Sequence, residues 1–194
     1  MKKYLTALSL FWTFFSCQQM DNHQSLEGQW RFALDPNDKG LTEQWYTNSL
    51  NDTIHLPGSL QEQGYGYDVD LKTAWIVDKS WYNSPVYEKF RQPGNMKVPF
   101  WLNPEKHYVG VAWYQKEIDI PAAWSDRPVE LELERTHWET TLFLDGKEVG
   151  KHESLSTPYR YTFKELIPGK HTLTLRVDNR LNVAVGVNAH SVSD

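Results

Sequence analysis

At 194 residues, 40% apolar and 23% charged, the chain has the size and make-up of one ordinary folded domain. Its formal net charge of −5 leaves no basic face for phosphate, which excludes nucleic acid as a partner. The single cysteine, Cys17, excludes an internal disulfide framework and a cysteine-built zinc site.

Lys2 and Lys3 precede a mostly apolar run from Tyr4 to Phe15, which Ser16-Cys17 ends. A basic start followed by about a dozen apolar residues fits an export signal and is too short to span a bilayer. The ending resembles a bacterial lipoprotein signal, although Phe14 and Phe15 are bulkier than the residues usual there. It implies lipidation at Cys17, membrane attachment through that anchor alone, and a place in the periplasm or outer membrane of a Gram-negative bacterium. Residues 1–17 are thus read as signal, 18–27 as a polar tether and 28–194 as a β-sandwich.

Strand signals begin at Gln29, where Trp30, Phe32 and Leu34 alternate onto one face before the loop Asp35–Gly40. Thr53–Leu56 is a second extended piece, ended by Pro57-Gly58. Residues 59–104 carry Gly, Pro and seven Tyr or Trp with little alternation, which predicts a long aromatic insertion packed over one end or edge of the sandwich. Regularity returns with Ala112–Ile120, a strand stopped by Pro121. Val129, Leu131 and Leu133 turn inward while Glu130, Glu132 and Glu134 turn out. Thr140–Leu144, Asp145-Gly146 and Lys147–Val149 predict a hairpin, because both central residues of a type I′ turn need positive φ. Tyr159–Phe163, the turn Pro168-Gly169 and His171–Val177 complete the series. The fold expected is all-β, an antiparallel sandwich of jelly-roll or immunoglobulin-like kind.

Chemistry is harder to find. The seven histidines show no metal-ligand spacing, no nucleophile-elbow, Walker or Rossmann pattern occurs, and no metal or cofactor is expected. Glycoside hydrolysis needs two carboxyls with separated pKa values flanking a cleft. Glu130, Glu132 and Glu134 are about 6.6 Å apart along their strand, but they read as a solvated face. Glu139, in Thr136-His137-Trp138-Glu139, has polar and aromatic neighbours and reads as a contact residue without a second carboxyl. Nine Trp, ten Tyr and eight Phe suit either a filled β core or stacking on sugar rings.

One ordered set of motifs adds to this. Gly110-Val111-Ala112-Trp113-Tyr114-Gln115-Lys116 resembles the G-x-x-W-Y-x-[RK] stretch of the sugar-binding domain of family 2 glycoside hydrolases, the β-galactosidase and β-glucuronidase group. Leu131–Arg135, Thr141–Gly150, Thr157–Tyr159 and Leu173–Arg180 are similar, in the same order, to that family's later strands and turns. Arg135-Thr136 stands where the family often has glycine, Asp145 replaces its usual Asn, and the 59–104 insertion has no counterpart in shorter members. The resemblance covers residues 26–194 and includes the Bacteroides-type lipoprotein versions from glycan-degrading gut bacteria. It implies a jelly-roll, galactose-binding-like domain whose catalytic glutamates belong to a TIM barrel further along the parent. The chain is expected to stop before that barrel and to be inactive alone. The same resemblance puts Trp101 and Asn103 in a sugar-contact loop and His190–Asp194 at the start of a segment reaching the active site. The partners implied are carbohydrate and the barrel. Two other readings are a free-standing carbohydrate-binding lipoprotein and a sandwich that only supports the barrel.

Overall fold

The computed structural model describes residues 22–69, 73, 83–95, 106–154 and 156–180. The strands are β1 (Gly28–Asp35), β2 (Asp52–Leu56), β3 (Tyr67–Asp68), β4 (Lys106–His107), β5 (Val111–Ile120), β6 (Val129–Leu133), β7 (Glu139–Leu144), β8 (Lys147–Glu153), β9 (Tyr159–Phe163) and β10 (Gly169–Asp178). Among the described residues helix is confined to short 3-10 segments such as Trp45–Thr47, Pro85–Phe90 and Ala122–Trp124. Six strands form one antiparallel sheet in the order β2-β1-β5-β10-β7-β8, and β6 pairs with β9 to form a second layer.

Register explains how one sheet serves two clusters. Phe32, Tyr114, Leu175 and Leu142 lie opposite one another across four strands and face the second layer. There they pack with Leu131, Tyr159 and Tyr161 from β6 and β9, so the expected alternation of β1 and β6 is what builds the core. Trp30 and Phe32 are buried as expected, and Leu34 is half-buried against the same cluster. One position along, Ala33, Trp113, Arg176 and Thr141 form the next row and face the other way. On that face Leu50, Val111, Trp113 and Phe143 make a smaller apolar cluster.

Residues 36–50 cover this outer cluster because buried polar groups hold them there. The Asp35 carboxylate accepts the Lys39 N–H at 2.8 Å, the Gly40 N–H at 2.7 Å and the Trp113 Nε1–H at 3.0 Å. Gln115 donates to the Asn48 carbonyl at 2.9 Å, and Arg31 to that of Leu50 at 3.2 Å. The Tyr46 ring then stacks on Phe143, centroids 4.4 Å apart and nearly parallel.

The turn chemistry matches the sequence. Asp145 and Gly146 both take positive φ, 50° and 73°, as a type I′ hairpin requires. Arg135, in place of the family's glycine, also takes positive φ, 52°. The start of the 59–104 stretch, Leu60 to Tyr65, packs at the β2 edge. Gln63 accepts from the His55 N–H and donates to the His55 carbonyl, both at 2.8 Å, so one side chain imitates a neighbouring strand. That blunts an edge otherwise open to pairing with another chain. Nearby, Leu60 is buried in the core and the Tyr65 ring tilts against Phe32 at 4.6 Å. Gly66 and His107 approach too closely for a Cβ, where the β3–β4 ribbon forms.

Candidate functional site

Of the residues predicted to contact sugar, Glu139 is described. It lies on β7 with its side chain 12% exposed, and its carboxylate meets Lys151 Nζ at 2.6 Å and Arg176 Nη1 at 3.5 Å. These contacts make it part of a larger network on the outer face. Arg176 Nη2 reaches Asp38 at 2.8 Å and Asp178 at 3.3 Å, while Arg180 reaches Asp38 at 2.6 Å and, through Nε, Asp178 at 2.8 Å. Three carboxylates face three cations, so the buried Arg176 is neutralised where an unpaired charge would be costly. Burial alone would raise the Asp178 carboxyl, but the hydrogen bonds and charges of Arg180, with Arg176, outweigh it and hold the group below its ordinary range. Asp38 is lowered in the same way by Arg176 and Arg180 against its own desolvation. The two aspartates in return push Arg180 up.

Trp101, Asn103, His190, Asp194 and Cys17 lie outside the described residues. Among the described residues, Tyr108–Gly110 ahead of β5 and Asn179–Arg180 after β10 converge at one end of the six-stranded sheet. Asn179 accepts the Gly110 N–H at 2.7 Å and donates to the Tyr108 carbonyl at 3.0 Å. Trp138 donates through Nε1 to the Arg180 carbonyl at 2.7 Å, and the Tyr159 hydroxyl donates to the Trp138 carbonyl. The approach to β5, the exit from β10 and the start of β7 therefore meet, and Glu139 stands beside them.

The other carboxylates show different surroundings. Glu132 pairs with Arg160 at 2.7 Å and Glu130 with the same guanidinium at 3.7 Å on an exposed face. Among the described residues no three His, Cys, Asp or Glu side chains cluster as a metal site. Between the layers, beside β6, lies a cleft of about 1140 Å³ with Trp30, Tyr114, Leu131, Leu173 and Leu175 in its walls and Glu130 and Glu132 at its lining.

The motif residues turn out to hold the fold together at these places. Trp113 anchors the covering loop through Asp35, while Tyr114 beside it enters the core. Lys116 lies 5.4 Å from the Trp30 ring centroid and donates to the carbonyls of Glu27 and Gln29. Gly110 leaves room for the Tyr108 hydroxyl, 2.8 Å from where a Cβ would stand. Sequence reasoning missed Asp35, Asp38, Arg176, Asp178 and Asn179. The alternation of β10 could have flagged Arg176 and Asp178 as polar residues in an otherwise apolar strand, but not their partners.

Residues 23–188 match the family model described as glycosyl hydrolases family 2, sugar binding domain. Among similar proteins, a β-glucuronidase of Paenibacillus borealis is 22% identical over 161 residues, covering 82% of this chain and 21% of its own length. A β-galactosidase of Streptococcus thermophilus is 27% identical over 176 residues, covering 88% and 15%. Among solved structures, a β-glucuronidase from an uncultured Clostridium sp. superposes with a TM-score of 0.55 at 22% identity, over 82% of this chain and 22% of that one. The Ruminococcus gnavus β-glucuronidase bound to uronic isofagomine gives 0.57 at 20%, over 82% and 21%, a likeness of fold. The chain spans about a fifth of the length of the β-glucuronidases it matches. With that match running from residue 23 to residue 188 over the sandwich just described, the chain belongs to the sugar-binding-domain family of the family 2 glycosyl hydrolases.

Proposed function

We propose that this chain is the front domain of an exo-acting β-glycosidase of the glucuronidase and galactosidase group, and that hydrolysis is carried out by a barrel elsewhere in the parent. The family match over residues 23–188 carries this reading, together with the chain's share of about a fifth of its glucuronidase relatives. In the parent, the end of the sandwich where Asn179, Trp138 and Glu139 meet faces the terminal sugar. Trp101, Asn103, His190 and Asp194 supply polar and stacking contacts to the glycone. The Lys2–Cys17 run supports reading the protein as a lipoprotein of the periplasm or outer membrane, anchored at Cys17.

The test compares the isolated chain with the full gene product on nitrophenyl β-glucuronide and β-galactoside. The parent turns one of them over and the chain alone turns over neither. In the parent, Asn103→Ala raises KM for the preferred glycoside. Turnover by the chain alone that disappears in Glu132→Gln or Glu139→Gln overturns the reading. Mass spectrometry of the membrane fraction checks the anchor, which Cys17→Ala abolishes. One observation favours a supporting role without sugar contact: Trp113, Lys116 and Gly110 all make internal bonds or packing. An unchanged KM in Asn103→Ala and Trp101→Ala parents supports that second reading.

A further inference from the structure

His171, at the start of β10, sits where two turns of the sandwich come together. Its Nδ1 lies 2.6 Å from Asp145 Oδ2 and its Nε2 lies 2.6 Å from the Ile167 carbonyl oxygen. Both partners are acceptors. A neutral imidazole carries one N–H, so it can satisfy only one of them, and both bonds are made only when the ring is protonated on both nitrogens. The ring is largely covered, its side chain 12% exposed, so water does not readily replace a lost partner.

The β7–β8 turn is also bonded to β10 directly, the Asp145 N–H donating to the Thr172 carbonyl at 2.9 Å, whereas the His171 ring joins that turn to the β9–β10 loop. Asp145 belongs to the type I′ turn between β7 and β8, and Ile167 to the loop between β9 and β10. Asp145 Oδ1 also accepts the Thr172 N–H at 2.8 Å, and its neighbour Gly146 lies against Thr47 of the loop that covers the outer cluster. We propose that His171 is a proton-operated clamp that joins the β7–β8 turn to the β9–β10 loop when charged and gives up one of its two bonds when neutral.

The charged groups around it suit that role. Asp145 faces the ring directly, and Lys147 acts on Asp145 from the start of β8. On β5 the residue opposite is the apolar Ile118, while Lys170 is engaged with Glu117 at 2.8 Å. Lys164 and Glu165 on the β9–β10 loop are exposed. The hydrogen bond that His171 donates to Asp145, then the one it donates to the Ile167 carbonyl, raise its pKa above the ordinary 6.5 against partial desolvation. A raised folded-state pKa means that the stabilisation is complete below the unfolded value, 6.5, and is lost as pH rises through the folded value.

Two measurements on the full chain test the clamp. The His171 ring resonance is followed by NMR through the neutral range, and its midpoint is expected above 6.5. Thermal midpoints of wild type and His171→Gln are compared across pH. Wild type is expected to melt about 3 °C higher at about pH 5, with the gap closing by about pH 9. An NMR midpoint at or below 6.5, or a gap that does not change with pH, overturns the proposal. The wild-type titration decides the matter even if His171→Gln does not fold.

Discussion

Replacing Asp35 by alanine removes the acceptor that fastens residues 36–50 over the outer sheet face, and its cost can be worked from the bonds lost. Oδ2 serves two buried donors, the Gly40 N–H and the Trp113 Nε1–H, and Oδ1 serves the half-buried Lys39 N–H. A buried donor left without a partner costs about 1–3 kcal/mol, so the two together cost about 2–6 kcal/mol, and the Lys39 amide adds less because water can reach it. A loss near 4 kcal/mol is expected, which for a domain of this size lowers Tm by about 10 °C. Asp35→Asn is the matched control. Turning its one remaining oxygen to Trp113 and Gly40 keeps two bonds and sacrifices the one to Lys39, so it should lose only about 1–2 kcal/mol. Urea unfolding followed by tryptophan fluorescence measures both variants, since Trp113 reports on the site itself. The order wild type, Asn, Ala in midpoint supports the account. An alanine variant within about 1 kcal/mol of wild type at unchanged m-value refutes it, because the loop would then be held by its apolar contacts alone.

Two glycines and one acid limb extend the same reasoning. A Cβ at Gly40 would stand 2.4 Å from Trp113 Nε1 and one at Gly150 would stand 3.7 Å from the Tyr161 ring, so Gly40→Ala should destabilise by about 1–3 kcal/mol and Gly150→Ala should be tolerated. Equal melting temperatures for the two variants would contradict the packing of the covering loop. Asp38 and Asp178 are held below the ordinary 3.8, so the stability they contribute is present above that pH and lost as pH falls through their folded values. Acid unfolding should therefore steepen below pH 3.8, and Asp38→Asn should flatten that limb; parallel acid limbs in the two proteins would count against the network.

Much of the framework was readable in the chain because it depends on neighbours close in sequence. Side chains alternate across a strand, so Trp30 with Phe32, and Val129 with Leu131 and Leu133, declare their buried face without reference to any partner. A two-residue turn needs two positive φ angles, so Asp145-Gly146 announces its hairpin in the same local way. The order of motifs from Gly110 to Arg180 likewise points to the family from the sequence alone. The candidate site was legible only as a neighbourhood. Glu139 was recognisable as a polar residue among aromatics, but its engagement with Lys151 and Arg176 was not.

Tertiary structure alone decided the partnerships. Asp38 meets Arg176 across 138 residues of chain, and Trp113 meets Asp35 across 78, because strand order puts β1 and β10 on either side of β5. Trp113 and Tyr114 share one motif yet serve opposite faces, and only the covering loop makes Trp113 on the outer face as buried as Tyr114 on the inner one. Gln63 looks like an ordinary loop residue until it is seen standing in for a strand beside His55. Local periodicity sets which way a side chain points, whereas sheet order and register set what it meets, and those depend on residues far apart in sequence.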